Sequence, residues 1–249
     1  MSAKALLVTG ASRGIGRACA LLAAQNGWAV AVNYREDARA ADAVVETIAA
    51  GGGRSVALKG DIAVEADVIG MYDAAAKALG PLTAVIANAG IVAPTAKLAE
   101  MSAERMRRIF EVNVLGAYLT AREAARRMSK SAGGTGGSIV LMSSAAARLG
   151  SPNLYIDYAG SKGAVDTLTL GLAKELGPEG VRVNAIRPGL IDTDIHASGG
   201  EPNRAFVLGV TAPMGRPGTA GEIAEAAVWL ISDAASYVTG ALLDVAGGR

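Results

Sequence analysis

The chain has 249 residues, a formal net charge of +1, 51% hydrophobic residues and only 4% aromatics. That length fits one large α/β domain or two small ones, and the composition supports a sizeable core of Ala, Val, Leu and Ile. Near-neutral charge without a basic patch argues against nucleic acid, no apolar run reaches the ~20 residues of a membrane span, and a single Cys (Cys19) with a single His (His196) argues against a zinc site or an internal disulfide.

Strand-like runs alternate with Ala-rich helical ones along the chain. Strands are predicted over 5–8, 28–33, 55–59, 84–87, 138–142, 182–186 and 241–245, and helices over 15–26, 38–50, 65–78, 103–129, 155–176 and 220–232. This alternation implies right-handed βαβ crossovers, hence an α/β fold with a parallel, doubly wound sheet and helices on both faces. The glycine runs at 51–53 and 133–137 read as turns between helix and strand, so residues 1–249 read as one domain. The segment from about 190 to 217 is long and irregular for such a connection and is expected to be a substrate lid. Met1 leads directly into a strand-like run, which predicts no signal peptide, and with Cys19 expected as a buried thiol the chain reads as cytoplasmic. The arginines at 105, 107, 108, 122, 126 and 127 read as a solvated helix face, and His196 as an exposed loop histidine.

The first strand runs into Thr9-Gly10-Ala11-Ser12-Arg13-Gly14-Ile15-Gly16. Glycines there let the backbone turn sharply and approach a pyrophosphate, which meets the free N–H groups of the next helix. The second strand ends at Asn33-Tyr34-Arg35, without the carboxylate that an NAD site places against the ribose hydroxyls. Arg35 and Arg13 instead offer two guanidiniums for a 2′-phosphate, which predicts NADP(H) over NAD(H), although Glu36 and Asp37 follow at once. Asp61, in Gly60-Asp61-Ile62 after the third strand, is placed to accept from an adenine amino group or to serve as a turn aspartate. The small residues of Ala87-Asn88-Ala89-Gly90, after the fourth, let a dinucleotide lie close.

Tyr158 and Lys162, in Tyr158-Ala159-Gly160-Ser161-Lys162, are four apart and share one face of a helix. An ammonium there favours phenolate, and bringing a phenol from its usual pKa near 10 to neutrality takes about 4 kcal/mol. Spacing alone is weak evidence, because chance supplies such pairs easily. Ser143-Ser144 ends the fifth strand, where a hydroxyl can hold a substrate oxygen beside the phenol. Asn113 lies inside a predicted helix although Asn is a poor helix former, and a local kink holding a water near Lys162 is one reason for it.

Taken jointly and in order, Thr9–Gly16, Asp61, Asn88-Ala89-Gly90, Asn113, Ser144, Tyr158, Lys162, Pro188-Gly189 and Thr193 resemble the short-chain dehydrogenase/reductase family over essentially the whole chain. The resemblance implies a three-layer Rossmann fold with a seven-stranded parallel sheet. It implies a catalytic tetrad of Asn113, Ser144, Tyr158 and Lys162, with Ser144 chosen as the second of the serine pair. It implies a cofactor site drawing on Gly10, Ser12, Arg13, Gly14, Ile15 and Gly16, on Tyr34, Arg35, Asp61 and Ile62, on Asn88, Ala89 and Gly90, and on Tyr158, Lys162, Pro188, Gly189, Ile191 and Thr193. The four-residue Tyr–Lys spacing is unlike that of the family's enoyl reductases, and Ala246 stands where many members carry Asp. More narrowly the chain is similar to bacterial members labelled glucose-dehydrogenase-like or 3-oxoacyl-carrier-protein-reductase-like. The implied activity is NADPH-dependent reduction of a small ketone or aldehyde by a homotetramer or homodimer. The alternatives are a sugar or polyol dehydrogenase and a non-catalytic NADP(H)-sensing protein.

Overall fold

Runs made almost wholly of Ala, Val, Leu and Ile leave no polar face for solvent, so a sheet built from them must be covered on both sides. The computed structural model describes residues 4–249; the expectation resting on Met1 falls outside the described residues. β1 (Ala5–Val8) leads to α1 (Gly14–Gln25), β2 (Ala29–Tyr34) to α2 (Ala38–Ala50), and β3 (Ser55–Lys59) to α3 (Glu65–Leu79). β4 (Ala84–Ala87) is followed by α4 (Ala103–Phe110), a π-helical turn (Glu111–Leu115) and α5 (Gly116–Met128). Next come β5 (Gly137–Met142), the short α6 (Ala146–Leu149), the long α7 (Ile156–Leu176) and β6 (Val181–Pro188). The irregular segment holds β7 (Ile191–Asp192), α8 (Ile195–Ser198), α9 (Arg204–Gly209) and β8 (Gly218–Thr219), before α10 (Ala220–Ile231) and β9 (Leu242–Val245).

Seven of these strands form one all-parallel sheet in the order β3-β2-β1-β4-β5-β6-β9. The expected doubly wound architecture is therefore present, with each predicted strand found within two residues of its expected bounds. On one face α1, α2 and α10 bury Cys19, Val44, Ile48, Ile223 and Leu230 against Val30, Ile86 and Val140. On the other, α3, α5 and α7 bury Val68, Tyr72, Ala124 and Val165 against Leu7, Val85 and Leu141. The Tyr72 hydroxyl, fully buried in that layer, donates to the Thr120 carbonyl at 2.7 Å.

Three expectations are corrected by packing. The helix predicted over 103–129 is not uniform, because the π-helical turn Glu111–Leu115 interrupts it. The arginine clusters are a solvated face only in part: Arg107 and Arg126 are exposed, and the rest are drawn into ion pairs. Arg122, Arg126 and Arg127 gather around the buried Glu123, and Arg122 and Arg127 bridge on to Glu65 and Asp73 of α3. A carboxylate that packing buries needs cations close by, and the i,i+3 and i,i+4 spacings supply them. Trp28 is buried but precedes β2, which runs instead to Tyr34.

The segment expected as a lid is tied at its neck. β7 pairs in parallel with β8, Ile191 with Gly218 and Asp192 with Thr219. α10 then starts on a capping box in which Thr219 and Glu222 satisfy each other's backbone N–H groups. No helix among the described residues is long and apolar enough to cross a membrane.

Ile86 is fully buried in β4, at the middle of the sheet. Ile86→Ala is expected to cost about 2–5 kcal/mol of stability, measured by chemical denaturation. A loss under about 1 kcal/mol would contradict the packing described.

Candidate active site

In an all-parallel sheet the strand carboxyl ends open on one rim, and a crevice forms where successive crossovers leave in opposite directions. Here that point lies between β1 and β4. Gly10 and Gly14 of the loop leaving β1 have φ of +62° and +54°, a region that favours glycine. A Cβ on Gly16 would stand 2.3 Å from the Gly10 carbonyl oxygen, so α1 can start this close to the loop only without a side chain. Arg13, the N-cap residue of α1, makes no side-chain cap, which leaves first-turn N–H groups facing outward. Those features fit a bound pyrophosphate.

Side chains from the neighbouring strand ends hold this loop. Asn88 Nδ2 donates to the carbonyls of Thr9 (3.0 Å) and Gly10 (3.2 Å), and Thr9 Oγ1 accepts from the N–H groups of Asn88 and Ala89, both at 3.0 Å. Asn33, passed over in the sequence, accepts from the Gly10 N–H at 3.1 Å and donates to the Gly60 carbonyl at 3.0 Å. It thereby fixes the exits of β1 and β3 to each other. The available signal was a lone amide in an otherwise apolar strand.

At the β2 exit Arg35 is half-exposed, pairs with Glu36, and lies 3.8 Å from Asp61. Arg108 reaches the same Asp61 oxygen at 3.5 Å. The other Asp61 oxygen accepts from the Ala63 N–H at 2.9 Å, the turn-aspartate arrangement. Asp37 caps α2 by accepting from the Ala40 N–H, so it does not compete at this site. Arg13 is exposed, and Ser12 and Tyr34 are partly exposed along the same edge. Ile62 points elsewhere: its side chain is buried where a Cβ on Gly116 would meet it at 2.6 Å.

Tyr158, Ser144 and Lys162 line one cavity of about 470 Å³ together with Ile15, Asn88, Gly90, Pro188, Gly189, Ile191 and Thr193. Asn113, Asp61 and Arg35 lie outside its wall. Asn113 sits behind it, in the π-helical turn, with its amide fully used: Oδ1 accepts from the Ile91 N–H (2.8 Å), and Nδ2 donates to the Ile91 carbonyl (2.9 Å) and to Ser161 Oγ (3.1 Å). The widened turn brings that amide against the Gly90 strand exit. A Cβ on Gly90 would lie 3.2 Å from Asn113 Oδ1 and 3.4 Å from Lys162 Nζ. The two serines have different occupations. Ser143 Oγ is buried and donates to the Lys162 carbonyl at 3.2 Å, whereas Ser144 Oγ accepts from the Ala146 N–H and keeps its own proton for another partner.

Lys162 is buried in α7, and its ammonium donates to the Met142 carbonyl at 2.7 Å. Burial pulls its pKa down to about 8, against the nearby Asp166 carboxylate, which raises it. Tyr158 in the chain by itself is governed by its enclosure. Burial pushes its phenol up to about 12; the Ser144 hydroxyl pulls the value down and Tyr155 adds to the rise. The ammonium lies 5.6 Å from the Tyr158 ring centroid and directs a proton to the Met142 carbonyl. The chain by itself therefore favours Tyr158 as a phenol, because desolvation outweighs the Ser144 hydrogen bond. The N-terminus of α7 is fixed by Arg105, which forks onto Asp157 at 2.8 and 3.2 Å, while Asp157 also accepts from the Tyr158 N–H.

The lid side adds residues that spacing did not single out. His196 is half-buried, lines the cavity and bonds through Nε2 to the Ile191 carbonyl at 2.9 Å, in place of the exposed loop position expected. Burial lowers its pKa, favouring the neutral ring. Tyr155 meets Tyr158 edge-on at 5.7 Å between centroids, and Arg204 packs over the Tyr155 ring at 5.1 Å. Ala246 is buried against Gly189, where a Cβ would come within 2.7 Å of its backbone.

A doubly wound sheet with a glycine loop at the switch point, and a Tyr, Lys and Ser around one cavity, defines a dinucleotide-dependent oxidoreductase scaffold. The family described as enoyl-(acyl carrier protein) reductase matches residues 10–249. The uncharacterized oxidoreductase YgfF of Escherichia coli (strain K12) is 51% identical over 243 residues, covering 98% of each chain. Glucose 1-dehydrogenase 2 of Bacillus subtilis (strain 168) is 35% identical over 248 residues, covering 100% of this chain and 95% of its own. A short-chain type dehydrogenase/reductase from Mycobacterium marinum superposes with a TM-score of 0.92 at 35% identity, covering 99% of this chain and 95% of that one. The chain belongs to the short-chain dehydrogenase/reductase family, oxidoreductases that act on CH–OH and C=O groups with NAD(P)(H).

The buried ammonium carries a measurable linkage. Lys162 falls from its ordinary 10.5 to about 8 on folding, so between those values the unfolded chain binds more protons and stability rises with pH. Against Lys162→Met, the ligand-free protein is expected to gain up to about 1.4 kcal/mol per pH unit from pH ~8 to ~10. Denaturant titrations across that range would read it. A constant difference would show that the ammonium is not desolvated.

Proposed function

We propose that the chain is an NADPH-dependent reductase of a small ketone or aldehyde, with Tyr158 as the proton donor. The observation that carries this reading is the grouping of Tyr158, Ser144 and Lys162 on the wall of one cavity that also meets the glycine loop at Ile15. A group with a pKa of about 12 is available as an acid throughout the physiological range, which suits carbonyl reduction.

The glycine loop Gly10, Ser12, Gly14, Ile15 and Gly16 would hold the pyrophosphate on its N–H groups. Asp61 and the Ile62 backbone would face the adenine, and Asn88, Ala89 and Gly90 would let the ribose lie close. Pro188, Gly189, Ile191 and Thr193 would close over the nicotinamide end. The support is spatial: a Cβ on Gly14 would lie 3.6 Å from Thr193, so the base of the lid already abuts the glycine loop. Bound here, the dinucleotide supplies a hydride. Tyr158 Oη gives its proton to the substrate oxygen. Ser144 Oγ, which bonds the phenol in the chain by itself, donates to the same oxygen. Lys162 lends positive charge beside the phenol and orients ribose. Asn113 is a positioning residue: its amide is committed to Ile91 and Ser161, so it braces the Gly90 strand exit against α7 and has no free side-chain donor for a water relay.

Preference for NADPH is supported by the absence of a carboxylate at Asn33-Tyr34-Arg35 and by the positions of the half-exposed Arg35 and the exposed Arg13. Glu36 must release Arg35 for a 2′-phosphate to take its place. Residues 190–217 act as the lid of one cofactor-binding domain. Homotetramer or homodimer assembly is supported by exposed apolar side chains at Phe110, Leu115, Tyr118 and Leu170. A second reading, oxidation of a sugar or polyol, draws on the similarity to glucose 1-dehydrogenase 2. It would use Tyr158 in the opposite sense, as the base that takes the proton from a substrate hydroxyl.

Two measurements test this. Tyr158→Phe is expected to lower kcat by about 10²–10⁴-fold while the Kd for NADPH stays within about threefold; retained turnover overturns the role. The kcat/KM for NADPH is expected to exceed that for NADH by at least about tenfold, the value of one charge-assisted contact. A preference for NADH removes the cofactor assignment.

A further inference from the structure

We propose that Arg204 and Arg249 form an anion pocket that takes a carboxylate on the substrate, opposite the end that reacts. The inference rests on the reaction proposed at Tyr158 and narrows its substrate class to small oxo- or hydroxy-carboxylates with an apolar skeleton. Two guanidiniums line the cavity, and Glu201 is the one acidic side chain lining it among the described residues. The Arg204 side chain is only 7% exposed; one nitrogen, Nη1, pairs with Glu201 at 2.5 Å. Its Nε is buried and has no partner. The same is true of Arg249 Nη1. Arg249 is anchored from outside the cavity, because Arg148 donates to its backbone carbonyl at 2.6 Å.

A guanidinium keeps its charge at any physiological pH, so burial cannot silence it as it does a lysine. Its N–H groups must find an acceptor or remain desolvated without one. Glu201 pairs with Arg204 alone, and among the described residues no carboxylate side chain pairs with Arg249, which leaves this part of the cavity wall with an unbalanced guanidinium charge. A carboxylate has the planar pair of acceptors that such donors match. Tyr155 sets the spacing. Its ring lies under Arg204 and edge-on to Tyr158, so the anion end and the proton donor are one aromatic ring apart. The cavity wall also includes Val92, Leu149, Leu154 and Ile195, which suits a hydrocarbon body. Lys162, the other cation of the cavity, is already bonded to the Met142 carbonyl.

The test is calorimetric binding of cyclohexanecarboxylate and of cyclohexanecarboxamide to the NADP⁺-loaded full chain at pH 7. The two probes share size and shape and differ in charge. The carboxylate is expected to bind about 10- to 100-fold more tightly, the range for hydrogen bonds to a charged group. Arg204→Gln is expected to abolish that preference and Arg204→Lys to restore part of it. Arg249→Gln is expected to reduce it at least about threefold, and this variant serves if Arg204→Gln fails to fold. Equal binding of the two probes to the unaltered chain overturns the inference. So does a preference that survives Arg249→Gln and Arg204→Gln, since the carboxylate would then be read by Lys162. The assay needs no turnover and runs equally in Tyr158→Phe, so a failure of the proposed reaction would appear in turnover alone.

Discussion

Parallel strands cannot be joined by a tight turn, and each must be regained through a crossover across a face of the sheet. That constraint governs this molecule. Seven parallel strands force helices onto both faces, which is why the strands are apolar throughout and why two separate core layers exist. It also sends every strand exit to the same rim. The glycine loop, Asn33, Gly60, Asn88, Gly90, Ser144 and Pro188 all sit at strand exits, so residues distant in sequence meet without any element being specially bent to bring them together.

The rim is polar, and its polar groups are mostly spent on one another. Thr9, Asn33 and Asn88 consume the backbone groups that sheet pairing leaves free at the exits. Arg105 and Asp157 fix the start of α7, and Asn113 fixes the Gly90 exit against its interior. Tyr158, Ser144 and Lys162 inherit their positions from these contacts. The cost falls on Lys162, an ammonium held out of water with one carbonyl for company and Asp166 nearby. A site of this kind trades stability for a placed charge, and the linkage to pH is the measurable trace of that trade.

Much of this was legible in the sequence. The alternation of strand-like and helical runs gave the sheet, because burial on both faces leaves an uninterrupted apolar run that needs no tertiary knowledge to recognise. Asn113 stood out as a poor helix former in a helix, and the π-helical turn there is the distortion that its oddity suggested. Other features depended on enclosure, which spacing does not report. The burial of the Tyr158 phenol, which raises its pKa in the chain by itself, is one of these. His196 and Arg204 belong to the irregular segment, where no period predicts which side chains face inward. Asn33 was masked by its setting, since one amide in a strand looks like tolerance until the loop it holds is seen.

The pairing of β7 with β8 has a further consequence. It closes the intervening segment at its neck, so whatever lies between is a loop with fixed endpoints on an otherwise continuous scaffold. Lengthening such a loop costs entropy only as the logarithm of its length. The segment can therefore be exchanged, extended or recoded while the sheet, the glycine turn and the tyrosine helix stay as they are. The part of the cavity wall that this segment supplies is thus a cassette clipped into a chassis, open to change in length and sequence while the sheet that carries it is held by its own pairings.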